Sequence, residues 1–512
     1  MPEQMIEKLK KRILPQWKIC FLTALFVGLI AHIYKLTNWL PNWDSLVFRY
    51  DVQNMTALGR WFLSVVCAPS SYYDLPFVAG FLAILLHGLG AVCICKIFDV
   101  KKNITAGLIG AVVATFPTVT SVMTYNYVAD GYACAFLLAC LSAMLLTRDK
   151  PRYIGAAVLL ALSCGIYQAY ITVTIMLLLL NLILELLYKD TDLKKTLGKC
   201  LGYLLTGIAG MGLYYLLHTV IIKLTGTTVL DYQGFGNATA LQSINIFGAL
   251  YVIKTSFFSY FFDFSKGVHV FGLLNCALLL LTVALYLHDI IQNKLPIGKI
   301  LLLCVCVILL PIGASVLAFI NSSIDYHNLM KMGFVVFYLF LILQYERTDC
   351  GCVKCSAIKS WAILGLFAVL VFNQIIIANV SYHKLNMAYE KSYGTLIRMA
   401  DRIEQTEGAA ECDRILVIGQ LADSEAYSAL LPPDMTGTTD GYILRADDEV
   451  VGQSVLCSAL NDYCGKDYQF LAGEEKTALL EKIDPDSLNN WPAADCICIV
   501  DDVIVIKLGD EK

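Results

Sequence analysis

Asp44 and Asp51 stand seven residues apart in the stretch PNWDSLVFRYD, residues 41–51. On a helix that spacing puts the two carboxylates on one face, about two turns or roughly 10 Å apart, near but not touching. A third carboxylate, Asp130, ends the stretch TYNYVAD (124–130). Asp44 and Asp130, if they meet in one cavity, could divide acid–base work. One would take the proton of an incoming hydroxyl, and the other would orient that hydroxyl or hold a divalent cation such as Mg²⁺ or Mn²⁺. The sequence shows no compact ligand set that would assign such a metal. Arg60 in LGRW, and Lys331 with His327 in DYHNLMK, offer cations to an anion such as a lipid phosphate. Asn42, Trp43, Tyr125, Tyr127, Tyr132, Tyr167, Gln168 and Tyr170 add amides, hydroxyls and flat ring faces suited to a sugar.

Each of these residues also has a structural reading. Asn42 or Asp44 fits the N-cap of a short helix lying along an interface over residues 42–61. Asp130 complements the positive end of a helix dipole. Arg60 and Lys331 fit snorkelling anchors, and the tyrosines fit an interfacial aromatic belt.

The elements that position these groups follow from composition. Of 512 residues 58% are hydrophobic and only 16% charged, where a soluble domain carries about a quarter charged. The net charge of −4 gives no reason to expect a nucleic-acid partner. A bilayer crossing needs about 20 apolar residues. Eleven such runs lie near 17–36, 75–98, 104–122, 129–147, 153–166, 167–187, 199–223, 268–288, 298–320, 329–345 and 360–380. The fifth and sixth form one apolar stretch, divided at GIYQAY (165–170) because a single crossing does not use 35 residues.

Orientation supports that division. With the N-terminus cytoplasmic, every inner segment is basic: EKLKKR, KIFDVKK, TRDKPR, KDTDLKKTLGK, NKLPIGK and ERTDCGCVKCSAIK. The polar clusters NWDSLVFRYD, TYNYVAD, GIYQAY, LDYQGFGN and NSSIDYHNLMK all fall at the opposite, outer ends. His87 and His218 stand out as polar residues within the apolar runs. This sidedness places chemistry at the outer water–lipid boundary, and an odd number of spans puts the C-terminal tail outside.

Composition changes after residue 384. RILVI (414–418) and DCICIVDDVIVIKL (495–508) read as strands, and GEEKTALLEKI (473–483) as a helix. The expected architecture is therefore an all-α polytopic membrane domain, 1–384, with a small extracytoplasmic α/β domain, 385–512. Cys496 and Cys498 are expected on one face of a strand. A disulfide from Cys457 or Cys464 to another of the tail's five cysteines, Cys412, Cys457, Cys464, Cys496 and Cys498, is one reading, and the spacing fixes no connectivity. CGCVKC (350–355) offers three thiols and reads as a reduced loop rather than a metal site.

NWDS, GRWF (59–62), FP (116–117) followed by YNYVAD, and YQAY occur in this order over about residues 38–345. Together they resemble the bacterial glucosyltransferase II-type proteins, polytopic enzymes of the GT-C class that modify surface polysaccharides such as O-antigen. The resemblance implies a bundle fold in the bacterial plasma membrane, with a first outer loop that carries interfacial helices. It implies a polyprenyl-phosphate-linked sugar as donor, with glucose the expected sugar, and a cell-surface glycan as acceptor. Related enzymes use an aspartate of the first outer loop near the reacting centre; Asp44 occupies that position, and Asp130 lies where a second acidic residue helps. Two other classes stay in play: a lipid-sugar flippase or polysaccharide exporter, and a non-catalytic envelope scaffold.

Overall fold

The protein is described from a computed structural model over residues 2–4, 7, 12–42, 45, 52, 54–230, 245–262, 271–322, 324, 326–347, 353–419, 449–483 and 487–509. The chain divides into two compact units, Met1–Asn38 with Asp51–Asn379, and Trp39–Tyr50 with Val380–Lys512.

The first unit is helical. Its helices are α1 (Pro15–Thr37), α2 (Pro76–Ile97), α3 (Asn103–Thr115), α4 (Pro117–Thr124), α5 (Ala129–Leu146), α6 (Tyr153–Ile166), α7 (Ile171–Tyr188), α8 (Leu193–Thr225), α9 (Ile246–Phe262), α10 (Phe271–Gln292), α11 (Ile297–Ala314), α12 (Val335–Glu346) and the start of α13 (Val353–Gln405). Among the described residues ten segments are long and apolar enough to cross a membrane. They match ten of the eleven expected spans. The remaining one, the fifth, is α6, a shorter helix of 14 residues. Helix α9, a largely apolar helix of 17 residues, lies outside the expected spans. Large apolar side chains such as Leu22, Phe26 and Leu204 are more than half exposed, which suits a lipid solvent and not water. The chain is a multi-pass membrane protein. Burial grades the spans: 94% of the apolar core of Asn103–Thr124 and of Asn328–Glu346 is covered by protein, against 11% of Leu193–Thr225.

Local chemistry sets the breaks. Pro76 and Pro117 open α2 and α4, where a missing N–H costs nothing. Phe116, before Pro117, is extended at φ −54°, ψ 136°, as a pre-proline residue prefers. The carbonyl of Ala114 beside this break accepts from the His32 ring at 2.9 Å. The Thr115 hydroxyl donates to Gln374 Oε1 at 2.7 Å. His32 is thus a third histidine within the apolar runs, beside His87 and His218, and it is fully buried. Helices α1 and α3 approach so closely at Gly110 that a Cβ there would sit 2.3 Å from the Cys20 carbonyl; close backbone contact of this kind is how small residues hold membrane helices together.

Alternation of helix ends follows the expected pattern. At one end the Lys101 amide donates to Glu346 at 2.8 Å, Asn293 to the Leu187 carbonyl at 3.0 Å, and Gln344 to Asp289 at 2.7 Å. This is the end that carries the basic connections. The opposite end carries residues 54–75, 125–130, 166–171 and 315–334, and we refer to it as the loop-1 end.

The second unit contains a four-stranded sheet of order β2-β1-β4-β3, with β1 Arg414–Ile418, β2 Gln469–Phe470, β3 Ile497–Val500 and β4 Val503–Lys507. β1 pairs in parallel with β2 and β4, and β3 pairs antiparallel with β4. The sheet is covered on both faces. Ile415, Val417, Ile504 and Ile506 join one core, with Leu396 and Met399 of α13 and Leu456 of α14 (Glu449–Cys464). Leu416, Ile418, Val503 and Val505 join the other, with Leu479 of α15 (Gly473–Leu480). Burial on both faces explains why ILVI (415–418) and VIVI (503–506) are unbroken apolar runs. The strand-forming run at 495–508 is a hairpin, turned at Asp501 and Asp502, both at positive φ (49° and 58°), the backbone that a two-residue turn requires. Alternation starts at Ile497, so Cys496 joins the first core and Cys498 packs on the second; they do not share a face. Cys412, Cys457, Cys464, Cys496 and Cys498 are all free thiols, so no disulfide links them. Of CGCVKC, residues 350–352 lie outside the described residues.

Candidate functional site at the loop-1 end

Arg60 is the centre of the best-formed polar group at this end. It follows a 3-10 turn, Thr56–Leu58, and Gly59, whose φ of +79° turns the chain. Its guanidinium lies 4.8 Å from the centre of the Tyr167 ring and donates to the Tyr132 hydroxyl at 3.1 Å. Tyr132 and Tyr167 are stacked at 4.7 Å and 11°. Tyr170 meets Tyr167 edge-on at 6.0 Å. Gln168 donates to the Leu58 carbonyl at 2.9 Å and to the Tyr214 hydroxyl at 3.0 Å, and Tyr214 donates to the Gly59 carbonyl at 3.2 Å. A Cβ on Gly59 would lie 2.4 Å from that hydroxyl.

The chain folds this way because α6 stops at Ile166. Tyr167 is extended (φ −155°, ψ 118°), and Gln168–Tyr170 forms a 3-10 turn before α7 begins. The division expected at GIYQAY is therefore real, and it delivers Tyr167, Gln168 and Tyr170 to the Arg60 loop. Tyr127, Tyr132, Tyr167 and Tyr170 are buried. They face protein, not the lipid interface, so the aromatic-belt reading does not describe them. Tyr125 is half-buried and meets Tyr127 edge-on at 6.5 Å.

Asp130 opens α5 and is 2% exposed. Its Oδ1 accepts from the Gly131 amide at 2.9 Å, and the side chains of Ser70 and Cys67 neighbour it. Tyr132, two residues on, turns instead toward Arg60, since residues two apart on a helix do not share a face. A second polar group went unforeseen. Asn126 donates to Asp74 at 2.6 Å, and Asp74 interacts electrostatically with Lys35, which is 1% exposed near the end of α1. In the sequence Lys35 looks like a flanking charge and Asp74 like a loop residue; only tertiary packing reveals that they are buried together.

Lys331 is 1% exposed in the 3-10 turn Asn328–Phe334, which packs against α4 and against Gln168–Tyr170. A lysine held there does not snorkel. His327, half-buried, precedes this turn. Thr118 donates to the Asn328 carbonyl at 2.8 Å, and Asn328 donates to Ser121 at 3.2 Å. The turn leads directly into α12, whose Phe337 and Phe340 line an apolar cavity of about 310 Å³ between α7, α9, α10, α11 and α12.

In the second unit the Ser45 amide donates to Asn42 Oδ1 at 2.8 Å. Trp43, Asp44 and Asp51 lie outside the described residues, and so do residues 46–50 and 53 of the expected interfacial helix; over 54–61 the chain forms the 3-10 turn Thr56–Leu58 and not the continuation of that helix. Among the described residues no group of three or more His, Cys, Asp and Glu is placed to hold a metal ion.

The family model described as glucosyl transferase GtrII matches residues 33–345. Neither the curated proteins nor the solved structures compared with the chain give a match. The matched stretch takes in both polar groups of the loop-1 end, from Lys35 and Arg60 to Lys331, and it is more than half of the chain. This multi-pass membrane protein belongs to the glucosyl transferase GtrII family of glucosyltransferases.

Proposed function

We propose that the protein moves glucose from a polyprenyl-phosphate donor to a cell-surface glycan on the outer face of a bacterial plasma membrane, as a GT-C-type enzyme. Its N-terminus is cytoplasmic in this reading, and residues 385–512 are extracytoplasmic. The observation that carries the reading is the family match, which runs through every motif of the loop-1 end within the first unit. The basic connections gathered at the opposite end support the orientation.

In the mechanism, Asp44 accepts the proton of the acceptor hydroxyl as that oxygen attacks the anomeric carbon. The bond from that carbon to the phosphate oxygen breaks, and the lipid phosphate leaves as an anion. Arg60 or Lys331 stabilises the charge; Lys331, withdrawn from water, would act more strongly than an exposed amine. Asp130 positions the acceptor. Tyr125, Tyr127, Tyr167 and Gln168, with His327, contact the sugar and phosphate. The apolar cavity below Lys331 along α12 suits the donor's isoprenoid chain, with the phosphate at the lysine.

The test is purified protein in liposomes with radiolabelled polyprenyl-phosphoglucose and a glycan acceptor. Label in the glycan supports the reading. Label crossing the bilayer with the lipid, and none in the glycan, would replace it with a flippase.

A further inference from the structure

The apolar cavity of about 310 Å³ along α12 has two hydroxyl side chains in its lining, Thr282 and Tyr286. Thr282 donates to the Leu278 carbonyl at 2.7 Å, and Tyr286 to the Phe340 carbonyl at 3.0 Å. The walls therefore present hydrocarbon and ring faces, which suit a hydrocarbon guest and not a sugar or a headgroup.

The cavity exists because α10 and α11 stay apart. Only residues 293–296 join them, yet α10 packs on α9 and α12, α11 packs mainly on α7, and the two scarcely meet. Gly313 holds α11 so close to α7 that a Cβ there would lie 2.8 Å from Ile175. Pro311 deprives the Val307 carbonyl of its helical hydrogen bond and favours a bend at that level. Val283 and Leu287 on α10 and Val307 on α11 line the cavity and are about half exposed, so it opens sideways to lipid. Its basic end is tied shut. Asn293 donates to the Leu187 carbonyl at 3.0 Å, Lys299 to the Lys189 carbonyl at 3.2 Å, and Tyr188 and Gln344 both bond Asp289.

Length decides which hydrocarbon fits. On α10 the lining runs from Leu279 to Ile290, about 16 Å of helix. Leu279 and Phe337 mark its end nearer Lys331, and six residues from Lys331 to Phe337 add about 10 Å. Together these approach the roughly 30 Å thickness of a bilayer's hydrocarbon core. An acyl chain anchored at the level of Lys331 covers one leaflet, about 15 Å, and stops in the upper part of the cavity. Filling the closed end takes a longer chain.

We infer that this groove selects the donor by tail length. It takes a polyisoprenoid longer than one leaflet, which enters sideways between α10 and α11 while its phosphate sits at Lys331. Val283 and Val307, at the mouth of the gap, are then specificity-determining residues for long-tailed donors. The inference deepens the glucosyl-transfer reading and rests on it for the identity of the donor.

Val283→Trp and Val307→Trp fill the gap from opposite sides. Leu301→Trp adds bulk to a lipid-exposed position of α11 outside the lining and serves as the control. The full-length proteins in liposomes are measured for Tm and for kcat/KM with two donors, undecaprenyl-phosphoglucose and geranyl-phosphoglucose, whose short tail ends near Phe337. Long tails also partition better into bilayers, so each variant is read against the native ratio. Both fillings should lower kcat/KM for the long donor by roughly tenfold and leave the short donor within about twofold, while Leu301→Trp changes neither. Native-like ratios in the two filled variants would overturn the inference, and so would an equal loss for both donors at unchanged Tm. A second measurement needs neither variant nor transfer: photoreactive undecaprenyl phosphate on the native protein should label α10 and α11 around Val283 and Val307. Label confined to other helices, or a phospholipid held in the groove that undecaprenyl phosphate does not displace, would overturn the inference as well. A native protein that is labelled there but transfers no glucose would count against the transfer reading alone.

Discussion

Arg60 lies 4.8 Å from the centre of the Tyr167 ring while donating to Tyr132, the tyrosine stacked on that ring. A planar guanidinium can stack and donate at once; an ammonium cannot do both in one geometry. Arg60→Ala should therefore lower kcat/KM for the lipid-linked donor by roughly 10²–10³-fold if the cation stabilises the leaving phosphate. Arg60→Lys should fall between, since it keeps charge and loses the stack. Steady-state kinetics on the two variants checks this, and equal activity in all three proteins would remove Arg60 from the mechanism.

Asp130→Asn keeps an oxygen to accept the Gly131 amide and removes the charge. If Asp130 positions the acceptor, glucose transfer should drop at least tenfold while Tm changes little. If it serves only the start of α5, transfer should hold, and stability should fall by about 0.3–1 kcal/mol.

Gly59→Ala combines a positive φ with a Cβ 2.4 Å from the Tyr214 hydroxyl. The backbone strain alone costs about 1 kcal/mol or more. A lower Tm and weaker activity should follow, since Gln168 and Tyr214 must move. Pairing Gly59→Ala with Tyr214→Phe should relieve part of the loss, and a double-mutant cycle measures that coupling.

Stability of the sheet-bearing unit should fall in alkali. Burial pushes the Cys457 thiol up to about 11 and the Tyr468 hydroxyl up to about 12. Both groups hold their protons more tightly folded than unfolded. The stability they contribute is complete below their ordinary ranges and is lost as pH rises toward the folded values. Melting followed by circular dichroism from pH 8 to 11 should show Tm falling, and Cys457→Ala should flatten the slope above pH 9.

The membrane part was legible because a helix that crosses a bilayer must be apolar along about 20 residues, whether lipid or protein covers it, so α1, α2, α5 and α7 announce themselves as runs. The break at GIYQAY was readable from span length and loop charge together. Helix α9 was missed because Lys254, Thr255, Ser256 and Ser259 interrupt a segment of only 17 residues. Pairings were another matter. Arg60 is 72 residues from Tyr132 and 107 from Tyr167, so the sequence offered the chemical types but not which side chain stands over which. Lys35, Asp74 and Asn126 went unnoticed because a buried charge looks like an exposed one until its surroundings are known. In the sheet, β1 and α15 were evident from composition, whereas β2 has only two residues and no pattern.

Asp44 serves as the base for glucose transfer in the proposed mechanism, and one rate comparison decides it. Native protein and Asp44→Asn, each in liposomes at saturating polyprenyl-phosphoglucose and glycan, are compared for kcat. Asp44→Asn should lose roughly 10²–10⁴-fold in kcat with donor binding retained. A kcat unchanged by the substitution would contradict it.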